Sequence, residues 1–325
     1  MRQPAALWAF VHDRLSAGEP VALLVVVEAS AGSPGQPGFA LGLTPAGETV
    51  GTVGGGAMEL ALVREYAARL ADSEVVREIR TLVHTRDARH GEPSGLQCGG
   101  SQAVCAVSLD PADLPAVEEV RSAWAERRPA AVVLSDAGLS CVAGDAGGAW
   151  GLGRASESSW RWADRVGPEH TALIVGGGHV GSALARVLAT LDLDVIVADE
   201  RENVAMLSAG VDLGYRAVVS PLDALAALVP SPESTFAVVM TSAADRDAAA
   251  LRALMPLRLR YLGLMGAKRK VGVILGALTE AEREEFRRQG VRSPAGIEIG
   301  SHSPEEIAVS VAAEIIADLN GVAGT

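Results

Sequence analysis

The stretch ALIVGGGHVGSALARVLATLDLDVIVAD, residues 172–199, constrains the fold of this chain more than any other. An aliphatic run leads into Gly176, Gly178 and Gly181, spaced as G-x-G-x-x-G, and an apolar, helix-like segment follows. A second aliphatic run ends at Asp199, eighteen residues after Gly181. A glycine turn between strand and helix, with an acid ending the next strand, is typical of a dinucleotide-binding βαβ unit. The stretch therefore predicts a Rossmann-like fold.

Each position of this turn has a physical role in binding a dinucleotide. Gly176 permits the tight turn, Gly178 lets a pyrophosphate approach the backbone, and Gly181 lets helix and strand pack closely. The free N–H groups and the dipole of the helix N-terminus favour phosphate. Asp199 would accept hydrogen bonds from a ribose, which favours NAD over NADP. The alternative is a Rossmann domain that has only a structural role and whose glycine turn binds no dinucleotide. Both interpretations remain open.

The rest of the C-terminal half alternates between strand-like and helix-like segments, which is typical of a doubly wound sheet. Helices are expected over residues 202–209, 222–229, 245–255 and 279–289. Ser303, Pro304 and Glu306 carry the cap signals of a last helix. We therefore expect an N-terminal α/β domain, residues 1–165, followed by a Rossmann-like doubly wound domain, residues 166–325.

The N-terminal half predicts helices over 4–17 and 57–72 and a buried strand over 21–30. Residues 31–40 contain five Gly or Pro in ten and predict an irregular loop, and 86–101 predict a second one. The Trp-containing stretch over 154–170 is interpreted as a polar link near the domain boundary.

Composition excludes several classes of protein. Hydrophobic residues make up 49% of the chain but aromatic residues only 4%, so the core is aliphatic, as in parallel α/β layers. The net charge of −12 argues against nucleic-acid binding, which needs a basic face. No run reaches the about 18 apolar residues of a membrane span, and three cysteines give no disulfide framework. We expect a soluble, cytoplasmic protein.

A second glycine turn, Gly54, Gly55 and Gly56, precedes the helix predicted over 57–72. Backbone N–H groups at such a helix start could cradle a phosphate or another anion. The alternative is close packing of helix and strand at a crowded corner, which also needs glycine.

The three cysteines fall in two kinds of sequence. Cys98 lies in GLQCGG, within an irregular loop, and is a candidate nucleophile or soft-metal ligand. The alternative for Cys98 is an incidental turn residue. Cys105 and Cys141 lie in apolar, strand-like patterns and are expected in the core.

Five segments together resemble the XdhC/CoxI family, accessory proteins that mature molybdenum hydroxylases such as xanthine dehydrogenase and aerobic carbon monoxide dehydrogenase. The likeness covers nearly the whole chain. The segments are 28–60, which ends in the glycine turn and Glu59, QCGG at 97–100, 174–201 with His179 and the Asp199–Arg201 pair, RYLGLMGAKRK at 260–270, and 296–317.

The resemblance implies that the chain binds the molybdenum cofactor, a pterin dithiolene with a terminal phosphate. It would hold the cofactor while a sulfido ligand replaces an oxo ligand, with a cysteine desulfurase as partner, and deliver it to a molybdenum hydroxylase. Cys98 would meet the metal. The implied cofactor-binding residues are Gly54, Gly55, Gly56, Glu59, Cys98, Gly99, Gly100, Gly176, Gly178, His179, Gly181, Asp199 and Arg201.

The chain departs from the family pattern at three places. Gly35 or Gln36 stands where the family usually carries Arg, a single Cys98 stands where two cysteines are common, and TSAADRD at 241–247 lacks histidine. These departures bear on ligand chemistry and leave the predicted fold unchanged.

Two other functions compete with a cofactor-binding accessory protein. The glycine turn and Asp199 are compatible with an NAD(P)-dependent oxidoreductase, but no hydride-transfer constellation follows them. A docking scaffold for a desulfurase and a hydroxylase would need neither the glycines nor Cys98.

The basic run Lys268–Lys270 could meet a phosphate or lie in a solvated loop. A homodimer is expected only because it is the commonest assembly.

Overall fold

The computed structural model describes residues 5–84, 92–94, 99–126, 128–144, 150–156, 159–191, 193–202 and 214–322. The chain divides into two compact units, Met1–Gly167 and Pro168–Thr325. The boundary lies two residues beyond the predicted one.

A mixed sheet forms the centre of the N-terminal unit. Its strands are β1 (Val21–Ala29), β2 (Ala40–Leu43), β3 (Thr49–Gly51), β4 (Arg77–Val83), β5 (Glu92–Pro93) and β6 (Ser101–Leu109), in the order β3-β2-β1-β6-β4-β5. All neighbours pair antiparallel except β4 and β5. The predicted parallel layering therefore does not extend to this unit.

Both faces of this sheet are covered, which explains why β1 is an uninterrupted apolar run. Helix α1 (Ala5–Ser16) packs Leu7 and Val11 against one face of β1, and α2 (Gly56–Ala71) packs Met58 and Leu62 against the other. The two predicted helices of this unit are therefore present.

The prediction of a polar link over 154–170 is wrong, because part of this stretch is a strand of a second sheet. After α3 (Leu114–Glu126), this sheet consists of β7 (Ala130–Ser135), β8 (Gly138–Ala143), β9 (Gly151–Arg154) and β10 (Trp160–Arg165), in the order β8-β7-β10-β9. Trp160 and Trp162 lie on one face of β10 and are buried in the core that α1 covers. Their alternation with Arg161 made the strand look polar.

The C-terminal unit contains the predicted doubly wound parallel sheet. Its strands are β11 (His170–Val175), β12 (Leu193–Asp199), β13 (Arg216–Val219), β14 (Thr235–Val239) and β15 (Tyr261–Leu264), in the order β13-β12-β11-β14-β15. Its α-helices are α4 (His179–Leu188), α5 (Ala244–Leu254), α6 (Lys268–Ala277), α7 (Glu280–Gln289) and α8 (Pro304–Leu319). Every pairing is parallel, and apolar clusters cover both faces, so the Rossmann-like prediction is confirmed.

Two details of this unit differ from the prediction. Residues Leu222–Leu228 form a 3₁₀-helix, because leucines spaced by three residues share one face in that geometry and pack on the core. The stretch from Lys268 begins α6 instead of a loop, since burial of Ile274 outweighs two unfavourable glycines. Of the helix predicted over 202–209, residues 203–209 lie outside the described residues.

The helices also bear on the question of a membrane span. In the described parts of the chain, every helix is too short or too polar to cross a lipid bilayer.

Candidate functional site

The glycine turn before α2 is shaped by both packing and backbone conformation. A Cβ on Gly54, whose φ is 126°, would lie 2.8 Å from the Gly35 nitrogen. Gly55 faces open space, but its φ of 76° and ψ of −171° suit only glycine. The crowded-corner interpretation therefore applies to Gly54, while the surroundings of Gly55 leave room for a ligand.

The Glu59 carboxylate reaches back to this turn from the first turn of α2. Its Oε2 accepts hydrogen bonds from the Thr52 hydroxyl at 2.6 Å, the Val53 amide at 2.8 Å and the Gly55 amide at 3.1 Å. Two amides that a phosphate could have used are thus already paired within the chain. By helix geometry, the amides of Gly56 and Ala57 have no partner within α2, and both residues are exposed.

Four buried polar side chains connect the loop after β1 to the residues around β4, β5 and β6. They are Ser33, His84, Ser94 and Gln102. The Gln102 amide oxygen accepts from the Ser33 hydroxyl at 2.8 Å and from the Gly35 amide at 3.2 Å, and the Gln102 amide nitrogen donates to the Val53 carbonyl at 2.8 Å. The His84 ring lies between Ser33 at 3.3 Å and Ser94 at 2.7 Å. This cluster was not predicted from the sequence, since its members are scattered along the chain.

The His84 ring is completely buried, and this environment affects its charge. Burial lowers the pKa of His84 below its usual range, and the nearby Gln102 amide counteracts this only in part. His84 is therefore neutral at physiological pH.

Gly99 and Gly100 adjoin the same cluster. The Gly99 amide donates to the His84 carbonyl at 3.2 Å, and the His84 amide donates to the Gly100 carbonyl at 2.9 Å. A Cβ on Gly100 would lie 2.7 Å from the Ala31 carbonyl oxygen. The loop of residues 31–35 is thus flanked by Gly54 on one side and Gly100 on the other. Cys98, the predicted metal ligand, lies outside the described residues.

In the C-terminal unit, the three glycines of the G-x-G-x-x-G turn, called the fingerprint below, have different roles. A Cβ on Gly176 would lie 2.7 Å from the Met240 carbonyl oxygen, and one on Gly181 would overlap the Gly176 carbonyl oxygen. Gly178 has open space around its Cβ position, and His179 beside it is exposed. Gly176 and Gly181 therefore serve packing, and only Gly178 is free for a ligand.

Asp199 is buried at the end of β12 and accepts four hydrogen bonds. Its partners are the Gly177 amide at 2.7 Å, the Arg201 amide at 3.0 Å, and the Arg201 guanidinium at 2.9 and 2.8 Å. Burial by itself raises the pKa of Asp199, but the hydrogen bonds from Arg201 and Gly177 outweigh it and lower that pKa to about 2. A ribose hydroxyl would have to replace one of these donors.

A shallow cleft that is open to solvent lies at the carboxyl ends of these strands. Its lining includes Gly176, Asp199, Arg201, Leu222 and Arg246. The direction of winding reverses between the neighbouring strands β11 and β14, and doubly wound proteins bind ligands at such a point.

Beside the cleft, Lys270 is held by a buried acid that was not singled out from the sequence. The Lys270 ammonium lies 2.5 Å from Asp247 Oδ2 and donates to the Thr241 carbonyl at 2.8 Å. The Thr241 amide and hydroxyl donate to Asp247 Oδ1. Of the basic run Lys268–Lys270, Lys270 is therefore engaged within the chain, and Arg269 is exposed.

A metal site would need several ligating side chains close together. Among the described residues, no group of three or more His, Cys, Asp or Glu side chains is arranged to hold a metal ion. In the glycine turn before α2, the exposed amides of Gly56 and Ala57 are the backbone donors open to an anion.

Comparison with known proteins agrees with a two-part chain that ends in a Rossmann-like fold. The profile of the XdhC and CoxI family matches residues 14–80, and that of the XdhC Rossmann domain matches residues 172–315. Between them the two matches cover more than half of the chain. The chain belongs to the XdhC/CoxI family.

Two curated relatives align with parts of this chain. An Escherichia coli K12 protein named "Uncharacterized protein YqeB" is 30% identical over 217 residues, 64% of this chain and 37% of its own length. A Bacillus subtilis protein, named as a probable xanthine dehydrogenase subunit, is 30% identical over 152 residues, 47% of this chain and 44% of its own length. The chain thus spans less than half the length of either relative.

One solved structure matches along nearly the whole chain. It is described as a xanthine dehydrogenase from Bacillus halodurans and aligns with a TM-score of 0.73 at 18% identity. The match covers 97% of this chain and 96% of that one, and at this identity it supports the fold alone.

Proposed function

We propose that this chain is a maturation factor for a molybdenum hydroxylase of the xanthine dehydrogenase type, and that its N-terminal unit binds the molybdenum cofactor as cargo. Family membership and the name of the Bacillus subtilis relative support the hydroxylase as partner. The observation that carries the binding site is the convergence of Gly54 and Gly100 on the loop of residues 31–35.

In this proposal the residues of the N-terminal unit divide the work. The exposed amides of Gly56 and Ala57 receive the terminal phosphate of the pterin, where the positive end of the α2 dipole favours an anion. Glu59 does not touch the phosphate, because its carboxylate would repel it; Glu59 holds the turn in shape. Cys98 supplies a thiolate, a ligand suited to a thiophilic metal. The chain holds its cargo while a cysteine desulfurase provides sulfur, then delivers it to the hydroxylase.

A second candidate function, NAD(P)-dependent oxidation or reduction, rests on the cleft of the C-terminal unit. The cleft fits a nucleotide by its location, but the described residues around it offer little acid–base chemistry. The Lys270 ammonium is committed to Asp247, and the Asp199 carboxylate to Arg201. We therefore propose that this unit binds a nucleotide without hydride transfer.

The test is purification of the chain from cells that make the cofactor, with molybdenum and pterin analysis. We expect stoichiometric pterin, and activation of a cofactor-free hydroxylase when the loaded chain is added. Cys105→Ala is the control for a thiol in the core. If the purified chain contained no pterin, and NAD(P) alone were enough for activation of the hydroxylase, the result would favour the oxidoreductase instead.

A further inference from the structure

The orientation of the Gln102 side-chain amide is fixed by two backbone groups. The Gly35 amide can only donate, so it must face the Gln102 oxygen, and the Val53 carbonyl can only accept, so it must face the Gln102 nitrogen. The Ser33 hydroxyl, 2.8 Å from the Gln102 oxygen, therefore donates its single proton to that oxygen.

This direction determines the protonation of the His84 ring. Because the Ser33 hydroxyl proton is committed to Gln102, the Ser33 oxygen must accept from His84 Nε2, 3.3 Å away. A neutral imidazole carries one N–H, so Nδ1 is an acceptor and receives the Ser94 hydroxyl proton at 2.7 Å. The hydrogen bonds run in one direction, from Ser94 through His84, Ser33 and Gln102 to the Val53 carbonyl.

We infer that His84 is held as the neutral Nε2–H tautomer and is a positioning residue of the N-terminal site, acting through Ser33 and Gln102. This inference rests on the proposed function. The relay ends at Val53, whose amide is bound by Glu59 and which directly precedes Gly54. The backbone of His84 also pairs with Gly99 and Gly100. His84 thus couples the glycine turn before α2 to the glycines that follow Cys98 in the chain.

The same geometry excludes a Ser–His nucleophile pair in this state. In such a pair the histidine accepts the serine proton and acts as general base. Here the Ser33 proton points to Gln102 and the His84 ring donates to Ser33. Ser33 and His84 are therefore a structural relay and not a hydrolytic dyad.

The tautomer is tested directly by long-range ¹H–¹⁵N NMR of the full chain labelled at histidine, with His84→Gln identifying the resonance. We expect a neutral ring protonated at Nε2 throughout the physiological pH range. A ring protonated at Nδ1, or at both nitrogens, would overturn the inference. This measurement needs no ligand, so it stands apart from the proposed function.

The positioning role is tested by the affinity for molybdenum cofactor released from a hydroxylase, measured beside urea unfolding. His84→Gln keeps a donor toward Ser33, whereas His84→Leu removes it, and Ser33→Ala breaks the relay at the next residue. We expect His84→Leu and Ser33→Ala to weaken binding at least about tenfold and His84→Gln to restore most of it. If His84→Leu does not fold, Ser33→Ala decides the outcome.

Thr44→Val is the matched control for loss of a buried hydroxyl. Thr44 is completely buried and follows β2 at the opposite end of the sheet from Gln102. Thr44→Val should lower stability without changing the affinity for the cofactor. If Thr44→Val and Ser33→Ala both lost affinity in proportion to their loss of stability, the positioning role would be overturned. If the wild-type chain binds no cofactor, the proposed function fails and the positioning role fails with it, while the NMR result still decides the tautomer.

Discussion

The guanidinium of Arg201 spans both carboxylate oxygens of Asp199, with Nε 2.9 Å from Oδ1 and Nη2 2.8 Å from Oδ2. Two parallel hydrogen bonds between charged groups are stronger and more directional than a single contact. Asp199 is buried while Arg201 remains about half exposed. The acid that the fingerprint assigns to a ribose is therefore part of an ion pair within the chain, next to the Gly177 amide of the glycine turn.

The first prediction concerns the acid stability of the C-terminal unit. The pKa of Asp199 is lowered to about 2 in the folded chain, below its ordinary value of 3.8. A carboxyl whose pKa is lower when folded stabilises the fold above its unfolded pKa and loses that effect as the pH falls toward its folded pKa. We expect Asp199 to contribute a loss of stability between about pH 4 and pH 2. Urea unfolding across this window should show a weaker dependence in Asp199→Asn, and identical slopes would contradict the prediction.

The second prediction separates the packing glycines of the fingerprint from the ligand-facing one. Gly181→Ala places a Cβ on the Gly176 carbonyl oxygen and should cost about 1–3 kcal/mol or more, as overpacking does. Gly178→Ala meets open space at a φ of −74°, so its melting temperature should stay near that of the wild type. If a nucleotide binds, Gly178→Ala should weaken it in calorimetry with NAD, NADP or ATP. Equal destabilisation by both changes would contradict this division.

How far the sequence predicts this molecule differs between its two halves. The Rossmann-like half was predictable because its signals are local: Gly176, Gly178 and Gly181 lie within six residues, and Asp199 ends the next strand. The N-terminal cluster was not, since Ser33, His84, Ser94 and Gln102 are brought together only by strand pairing. A buried histidine or glutamine has no periodicity that identifies its partner in a single sequence.

Strand β10 was missed for a different reason: its alternating pattern is visible in the sequence, but its surroundings obscured it. Trp160 and Trp162 alternate with polar residues as a half-buried strand requires, but the flanking Ser, Gly and charged residues made the segment resemble a link. Only the neighbouring strands β7 and β9 reveal which face is buried. Likewise the Asp247–Lys270 pair joins residues 23 apart, and neither residue indicates the other locally.

The third prediction concerns Glu59 as the residue that holds the glycine turn. Glu59→Ala removes the acceptor of the Thr52 hydroxyl and of the Val53 and Gly55 amides, and should cost about 1–3 kcal/mol of unfolding free energy. Glu65→Ala on the same helix removes partly exposed ion pairs with Arg80 and, at 3.9 Å, with Arg69, and should cost less than about 1 kcal/mol. Urea unfolding compares the two, and equal losses would show that Glu59 does not hold the turn.

The fourth prediction concerns the ion pair beside the cleft. Lys270→Met leaves the Asp247 carboxylate completely buried without its cation and should destabilise the fold by about 3–5 kcal/mol. The control is Arg269→Met, because Arg269 directly precedes Lys270 and is exposed. This variant should change stability by no more than about 0.5 kcal/mol. The measurement is urea unfolding at neutral pH. A mild effect of Lys270→Met, with nucleotide binding lost, would instead make Lys270 a ligand-binding residue.

The fifth prediction ranks the three cysteines in stability and in function. Cys105 is completely buried in the core, where burial raises the pKa of its thiol, and Cys141 is half-buried on β8. Cys105→Ser places a hydroxyl among apolar side chains and should cost about 1–3 kcal/mol, and Cys141→Ser, at a half-buried position, should cost less. Cys98→Ser, in a glycine-flanked segment, should melt close to the wild type.

In function we expect the reverse order. An alcohol is a poor ligand for a thiophilic metal and cannot carry sulfur, so Cys98→Ser should fold yet lose cofactor retention or activation of the hydroxylase. Cys105→Ser should retain cofactor in proportion to its folded fraction. The comparison is thermal melting beside molybdenum content for the three single variants. Full loading and full partner activation by Cys98→Ser would remove the thiol from the mechanism, and the chain would then act as a docking scaffold.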